Sequence, residues 1–185
     1  MLFSSVLLAL SAASLAFASP LEPRAAGDYT VAVNSANSVC LILPRKAGQT
    51  VGDSESSRGQ MRSFCSASAK TSSLQGDLPS NFWKRSSYKT GTGKNGKKYK
   101  QVTGIMNSGW KQLNWNDGGG QYDSNGGAGG KGNPSGSVCG GSYPIYVEIV
   151  EPDVRRACIR CCQDKADCPT NKDTAGCPAV IPGTY

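Results

Sequence analysis

The most regular alternation of apolar and polar positions falls between Tyr143 and Val150 (YPIYVEIV), where Ile145, Val147 and Ile149 share one face of an extended chain. That two-residue period is the mark of a strand. Pro144 near its start and Pro152 just beyond its end bound it, since proline cannot donate to a sheet ladder. The same alternation predicts a strand over Lys98 to Ile105 (KYKQVTGI). Tyr29 to Val33 (YTVAV) and Val39 to Leu43 (VCLIL) are short β-rich runs separated by Asn and Ser, with Pro44 ending the second; they read as neighbouring strands. Val154 to Asp164 (VRRACIRCCQD), with Asp153 placed as an N-cap, predicts one short helix. The expected architecture is mainly β, a small sandwich or barrel with one short C-terminal helix and long glycine-rich loops.

The beginning of the chain follows another pattern. Residues 1–18 hold a short apolar run, Val6 to Leu10, and then Ala16, Phe17 and Ala18, the small-x-small arrangement of a signal peptidase site. The apolar stretch is well short of the roughly 20 residues that span a bilayer. A secreted protein cleaved after Ala18, with no transmembrane segment, is the expectation. Residues 19–26, with two prolines and one arginine, read as a pro-segment or flexible linker, and 27–185 as a single domain.

Eight cysteines follow the signal: Cys40, Cys65, Cys139, Cys158, Cys161, Cys162, Cys168 and Cys177. An even set in an oxidising compartment predicts four disulfides, whose pairing the sequence leaves open. Cys161 and Cys162 are adjacent and should tie their segment to two different places. The domain is lean in apolar residues and holds 23 glycines, so crosslinks would offset part of its backbone entropy. The Cys158–Cys161 pair has the spacing of a zinc knuckle or a redox motif. Zinc would need reduced thiolates or imidazoles, and the chain has no histidine. Catalysis through imidazole is excluded on the same ground, which leaves carboxylates, lysines, tyrosines and backbone groups. No metal or cofactor is expected.

Charge changes the picture most in the middle of the chain. The net charge is +7, and no acid occurs from Leu78 to Asn116. That segment carries Trp83, Lys84, Arg85, Tyr88, Lys97, Lys98, Tyr99, Trp110 and Trp115, the candidate binding residues, along with Lys89, Lys94, Lys100 and Lys111. Cations interleaved with aromatics suit an anionic polymer gripped by charge and stacked on ring faces. The competing reading makes the tryptophans core and the lysines a solvated hairpin around Gly91 to Gly96, where Asn95-Gly96 favours a tight turn.

Two carboxylate groups are candidates for hydrolytic chemistry: Asp53 with Glu55, and Asp117 with Asp123. Sugar hydrolysis needs carboxylate pairs about 5 Å or about 6.5–9.5 Å apart, a spacing that only a structure supplies. Asp117 and Asp123 flank the stretch Gly118 to Gly132, more than half glycine, across which no regular helix or strand is expected. The oxygen donors there match no EF-hand, and the glycines lack the lysine ending of a P-loop. Turn formation, which Asp and Asn favour by bonding nearby backbone, is the simpler reading. No Asn-x-Ser/Thr sequon is present, so N-glycosylation is not expected.

Several stretches together, namely VGDSE at Val51 to Glu55, FWKRSSYKTGTGKNGKKY at Phe82 to Tyr99, NDGGGQYDSNGGAGGKGNPSGSVCG at Asn116 to Gly140, YVEIVEP at Tyr146 to Pro152 and the cysteine-rich run from Ala157 to Tyr185, resemble a group of small secreted cysteine-rich fungal proteins. The resemblance spans most of the chain after the signal. It implies a fungal origin and an effector-like role and carries no mechanism with it. The group's pattern has a cysteine where this chain has Ile105, and another beyond the tyrosine of IPGTY. Their joint absence implies that the two pair with each other in relatives, and leaves the tail after Cys177 without a covalent tie.

Together these features lead to a monomeric, secreted, non-enzymatic protein that binds cell-wall glycan or another anionic surface partner, with no specific affinity for nucleic acid. A carboxylate-dependent polysaccharide-degrading enzyme and a membrane-active antimicrobial protein are the alternatives, the latter lacking a convincing basic amphipathic helix.

Overall fold

The computed structural model describes residues 29–51, 59–172 and 174–185. The predicted signal peptide, residues 19–26, and the candidate carboxylates Asp53 and Glu55 lie outside the described residues. The described residues hold ten strands and one short α-helix with both ends described: β1 (Thr30–Ser35), β2 (Ser38–Pro44), β3 (Met61–Cys65), β4 (Gly76–Asp77), β5 (Trp83–Thr92), β6 (Lys98–Met106), β7 (Gly120–Asp123), β8 (Val138–Cys139), β9 (Ile145–Glu151), β10 (Arg156–Cys162) and α1 (Gly176–Val180). They form two five-stranded sheets, ordered β4-β3-β2-β1-β8 and β5-β6-β10-β9-β7. The second sheet is antiparallel throughout, while β3–β4 and β1–β8 pair in parallel in the first. The chain is therefore mainly β, as its apolar periodicity predicts, and takes the form of a sandwich.

The main core fills the space between the sheets. Val31, Val33, Leu41 and Leu43 from the first sheet meet Val102, Tyr146, Val150, Ala157 and Ile159 from the second, all essentially inaccessible to solvent. Full burial of each large aliphatic side chain contributes about 1.5–3 kcal/mol. A second cluster lies on the far face of the second sheet, where Val147 and Ile149 pack with Val180 and Ile181 from the C-terminal segment. Both faces of β9 are thus covered. This is why its alternation marks two cores, with Tyr146, Glu148 and Val150 on the side opposite Val147 and Ile149.

Residues Val154 to Asp164, expected to be helical, form β10 instead. Pro152 to Arg155 make a tight turn, with the Arg155 amide bonded to the Pro152 carbonyl at 3.0 Å and Arg155 at a φ of 57°. Asp153 accepts from the adjacent Val154 amide at 2.7 Å, a local bond rather than a helix cap. Beyond the turn the chain enters the centre of the second sheet, pairing with β6 on one side and β9 on the other. The cysteines explain the preference for an extended chain. A strand sends Cys161 to one face and Cys158 and Cys162 to the other, whereas helical spacing would crowd all three together.

Each face is crosslinked accordingly. Cys139–Cys161 joins the two sheets, Cys158–Cys177 ties β10 to α1, and Cys162–Cys168 closes a short loop after β10. Cys40–Cys65 links the paired strands β2 and β3. No cysteine is free, and adjacent Cys161 and Cys162 do reach different partners. Beyond Cys177 the tail crosses the outer face of β6. There the Gln101 side chain donates to the Pro182 carbonyl and the Thr103 hydroxyl to the Thr184 carbonyl, both at 2.9 Å. Hydrogen bonds hold the tail without a crosslink.

The glycine-rich stretch also departs from expectation, because its start, Gly120–Asp123, is strand β7 at the edge of the second sheet, paired with β9. Gly118 and Gly119 before it are irregular, and the part after Asp123 is loop apart from a 3-10 turn at Ala128–Gly130. No described helix is long and apolar enough to cross a membrane.

Candidate functional site

The acid-free segment folds into a long hairpin. Strands β5 and β6 pair along nearly their whole length, from Trp83 opposite Met106 to Thr92 opposite Lys98. The turn follows from Asn95-Gly96: Gly96 adopts a φ of 70°, and the Gly93 amide bonds to the Lys97 carbonyl at 2.7 Å. β5 is an edge strand, and its lysines suit that place because charge discourages edge-to-edge pairing.

The tip of the hairpin is fastened to an acidic turn after β10. Asn95 donates to the Asp164 carboxylate at 2.8 Å, the Lys94 amide to Asp167 at 3.2 Å, and the Lys98 amide to the Gln163 side chain at 2.9 Å. The Ala166 amide, and then Asn95, hold the Asp164 carboxyl below the ordinary carboxylate range. A side chain on Gly93 would overlap the Asp167 carboxylate and push it from its place beside the Lys94 amide. The hairpin is therefore held at its tip and along one strand.

Opposed residues in an antiparallel pair share a face. Arg85 and Lys89, opposite Ile105 and Gln101, lie on the outer face; Tyr88 and Thr90, opposite Val102 and Lys100, lie on the other. Lys84, Lys89, Lys94, Lys97 and Lys98 are exposed, and none forms an ion pair with a described residue. Arg85 is exposed but donates to the Tyr185 carbonyl at 2.7 Å. Lys100 is half-buried over the Tyr143 ring at 4.9 Å, and burial lowers its pKa.

The aromatic candidates separate from the cations. Trp110 stands edge-on to Phe64 and Phe82, with ring centroids 5.6 and 5.8 Å away, and Trp115 donates its indole N–H to the Trp110 carbonyl at 3.1 Å. Both seal the edge of the main core. Tyr99 packs on the second core beneath the Arg160 guanidinium, 4.6 Å from its ring centroid. Only Tyr88, 39% exposed, stands free beside the lysines. Trp83 packs edge-on against Phe82 at 4.7 Å and borders a cleft of about 330 Å³ between the β1–β2 turn, residues 66–68 and residues 78–83.

The candidate carboxylates bind backbone. Asp117 accepts from the Val51 amide and from the Gly119 amide at 3.0 Å. Asp123, 3% exposed, accepts from the Gly126 amide, from the Asn125 amide at 2.9 Å and from the Gln121 side chain at 3.1 Å. These bonds fold the start of the glycine-rich loop, the turn-forming role that Asp favours. No group of three or more metal-ligating side chains assembles among the described residues.

Glu148 emerges only from the structure. Fully buried between the sheets, it accepts the Ile42 amide at 3.0 Å through Oε2, while Oε1 has no hydrogen-bond partner among the described residues. Burial pushes its pKa well above the carboxylate range, opposed in part by the Ile42 bond. Beside it the Tyr146 hydroxyl donates to Ser137 at 2.8 Å, and burial, then the charges of neighbouring acids, raise the tyrosine pKa as well. The signal in the sequence is one acid inside an otherwise apolar strand, YVEIV.

Comparison with family models, curated proteins and solved structures finds no match.

Proposed function

We propose that the protein is a secreted, non-enzymatic, effector-like binder of anionic surfaces, and that the β5–β6 hairpin is its contact region. One observation carries the reading: five exposed lysines on a single ordered hairpin form no close ion pair with a described residue, Lys97 alone lying within electrostatic reach of a described carboxylate, Asp164. Unpaired cations on one element concentrate positive potential and favour acidic polymers, of which polyuronate in a cell wall is an extracellular example. Four disulfides are compatible with an extracellular setting. The main-chain bonds made by Asp117 and Asp123 count against the hydrolase reading.

The test is retention of the mature protein on immobilised polygalacturonate and on uncharged glucan at low salt. The reading expects retention on the acidic matrix only, released by moderate salt. Changing Lys84, Lys89, Lys94, Lys97 and Lys98 together to glutamine should abolish retention while leaving the melting temperature within a few degrees. Equal retention of the native protein and the variant would overturn it.

A further inference from the structure

A second surface differs in chemistry from the hairpin that it adjoins. The cleft beside Trp83 lies where the edge of the first sheet meets β5, and it is bounded by the β1–β2 turn, the turn after β3 and the approach to β5. Its apolar wall is Trp83, Phe82 and Leu78, and its polar rim is Asn37, Ser68 and Ser80. None of the described residues lining it is ionisable, although Lys84 and Arg85 follow directly in the chain.

The three rim residues are exposed. Their side chains can each donate and accept a hydrogen bond. The occupant must therefore present an apolar face to an aromatic wall and hydroxyl or amide groups to the rim, and must carry no charge. Peptide cations and carboxylates find no counter-charge there, and a purely apolar ligand would leave the rim groups without partners, at a desolvation cost. The volume is at the small end of ligand sites, enough for part of an oligomer rather than a long polymer track.

We infer that this cleft is a binding site for one unit of an uncharged sugar, either a neutral hexose or an N-acylated hexosamine. No described lysine lines the cleft, so the site holds or fails independently of the polyanion reading. The turn Ser66 to Ala69 that forms one side is well built. The Ser66 hydroxyl accepts the Val39 amide at 3.1 Å, and the Ala69 amide bonds to the Ser66 carbonyl at 2.9 Å. It rests on the disulfide Cys40–Cys65 and buried Ala69. The wall is anchored by the edge-on packing of Phe82 against Trp83 and Trp110. A site made of these parts is preformed, which reduces the ordering needed on binding.

The experiment is a two-dimensional amide and indole NMR titration of the mature protein with oligomers of glucose and of N-acetylglucosamine, and separately with an oligogalacturonate. At least one neutral oligomer should shift the Ser68, Ser80 and Trp83 signals saturably and leave those of Lys94 and Lys97 in place. The acidic oligomer should do the reverse. Ala67→Gln, a substitution at an exposed position on the cleft margin, should weaken the neutral response at least several-fold and leave the acidic one unchanged. Trp83→Ala should abolish the neutral response, but its packing role makes Ala67→Gln the decisive variant. No response to either neutral series, shifts confined to the hairpin, or an undiminished response in Ala67→Gln would each overturn the assignment.

Discussion

Replacing Glu148 by glutamine tests whether a buried carboxyl group makes the sandwich sensitive to pH. The side chain has no solvent contact, one hydrogen bond from the Ile42 amide, and a second oxygen without a partner among the described residues. Burial raises its folded pKa above the unfolded value of about 4.3. The protonated form is therefore the one that the fold favours. Its stabilising contribution is complete below the unfolded pKa and is lost as pH rises through the folded one. Between those two values stability should fall by about 1.4 kcal/mol for each pH unit.

Glutamine keeps an acceptor for Ile42 and cannot ionise. Glu148→Gln should thus match the native protein within about 1 kcal/mol near pH 4 and become progressively more stable than it toward neutral and alkaline pH. Glu148→Ala removes the acceptor and leaves the Ile42 amide buried without its partner, a loss of about 1–3 kcal/mol before any cavity term. Urea midpoints from pH 4 to 9 at fixed salt would measure all three. Below about pH 9 the neighbouring Tyr146 stays neutral, because its pKa is raised. Parallel pH profiles for the native protein and the glutamine variant would show that ionisation of Glu148 does not govern stability.

Other consequences follow from the same packing. A side chain at Gly104 would overlap the Arg85 carbonyl across the β5–β6 pair, so Gly104→Ala should cost about 1–3 kcal/mol in chemical denaturation. The same variant should disturb the hairpin amides first in NMR spectra. Cys139→Ser with Cys161→Ser removes the only described crosslink between the sheets and should cost about 2–5 kcal/mol, read as a lower melting temperature. Asp123→Ala strips acceptors from the Asn125 and Gly126 amides and should speed hydrogen exchange in the loop after β7, with β9 remaining protected.

How far the sequence reveals this molecule depends on which interactions are local. β1, β2, β6 and β9 were legible because alternation and bounding prolines are carried by the residues themselves. The hairpin turn was legible from Asn95-Gly96 for the same reason. β10 was not, since VRRACIRCCQD has acceptable helical composition, and only its two neighbouring strands and three divergent disulfides make it extended. β7 was hidden by glycine, which has little strand preference of its own and gains order here from pairing with β9.

The candidate site was legible in charge but not in geometry. An acid-free run announces a cationic surface, and six of its seven lysines are exposed, five of them on the hairpin. The sequence allows the tryptophans either as partners of those lysines or as core, and Trp110 and Trp115 follow the second reading, turning toward Phe64, Phe82 and the core margin. The cleft at Trp83 draws its other walls from residues 37–39 and 66–68, distant in sequence and unremarkable in composition. Glu148 could be suspected from its apolar flanks, but its bond to Ile42 joins positions 106 residues apart.

The salt dependence of binding tests the hairpin as a polyanion contact. Titrating a labelled oligogalacturonate at several salt concentrations gives a slope of log affinity against log salt, which grows with the number of cations that displace counterions from the polymer. The native protein should show a steep negative slope, and the variant with glutamine at Lys84, Lys89, Lys94, Lys97 and Lys98 a nearly flat one with much weaker binding at low salt. Equal slopes for the two proteins would contradict the claim.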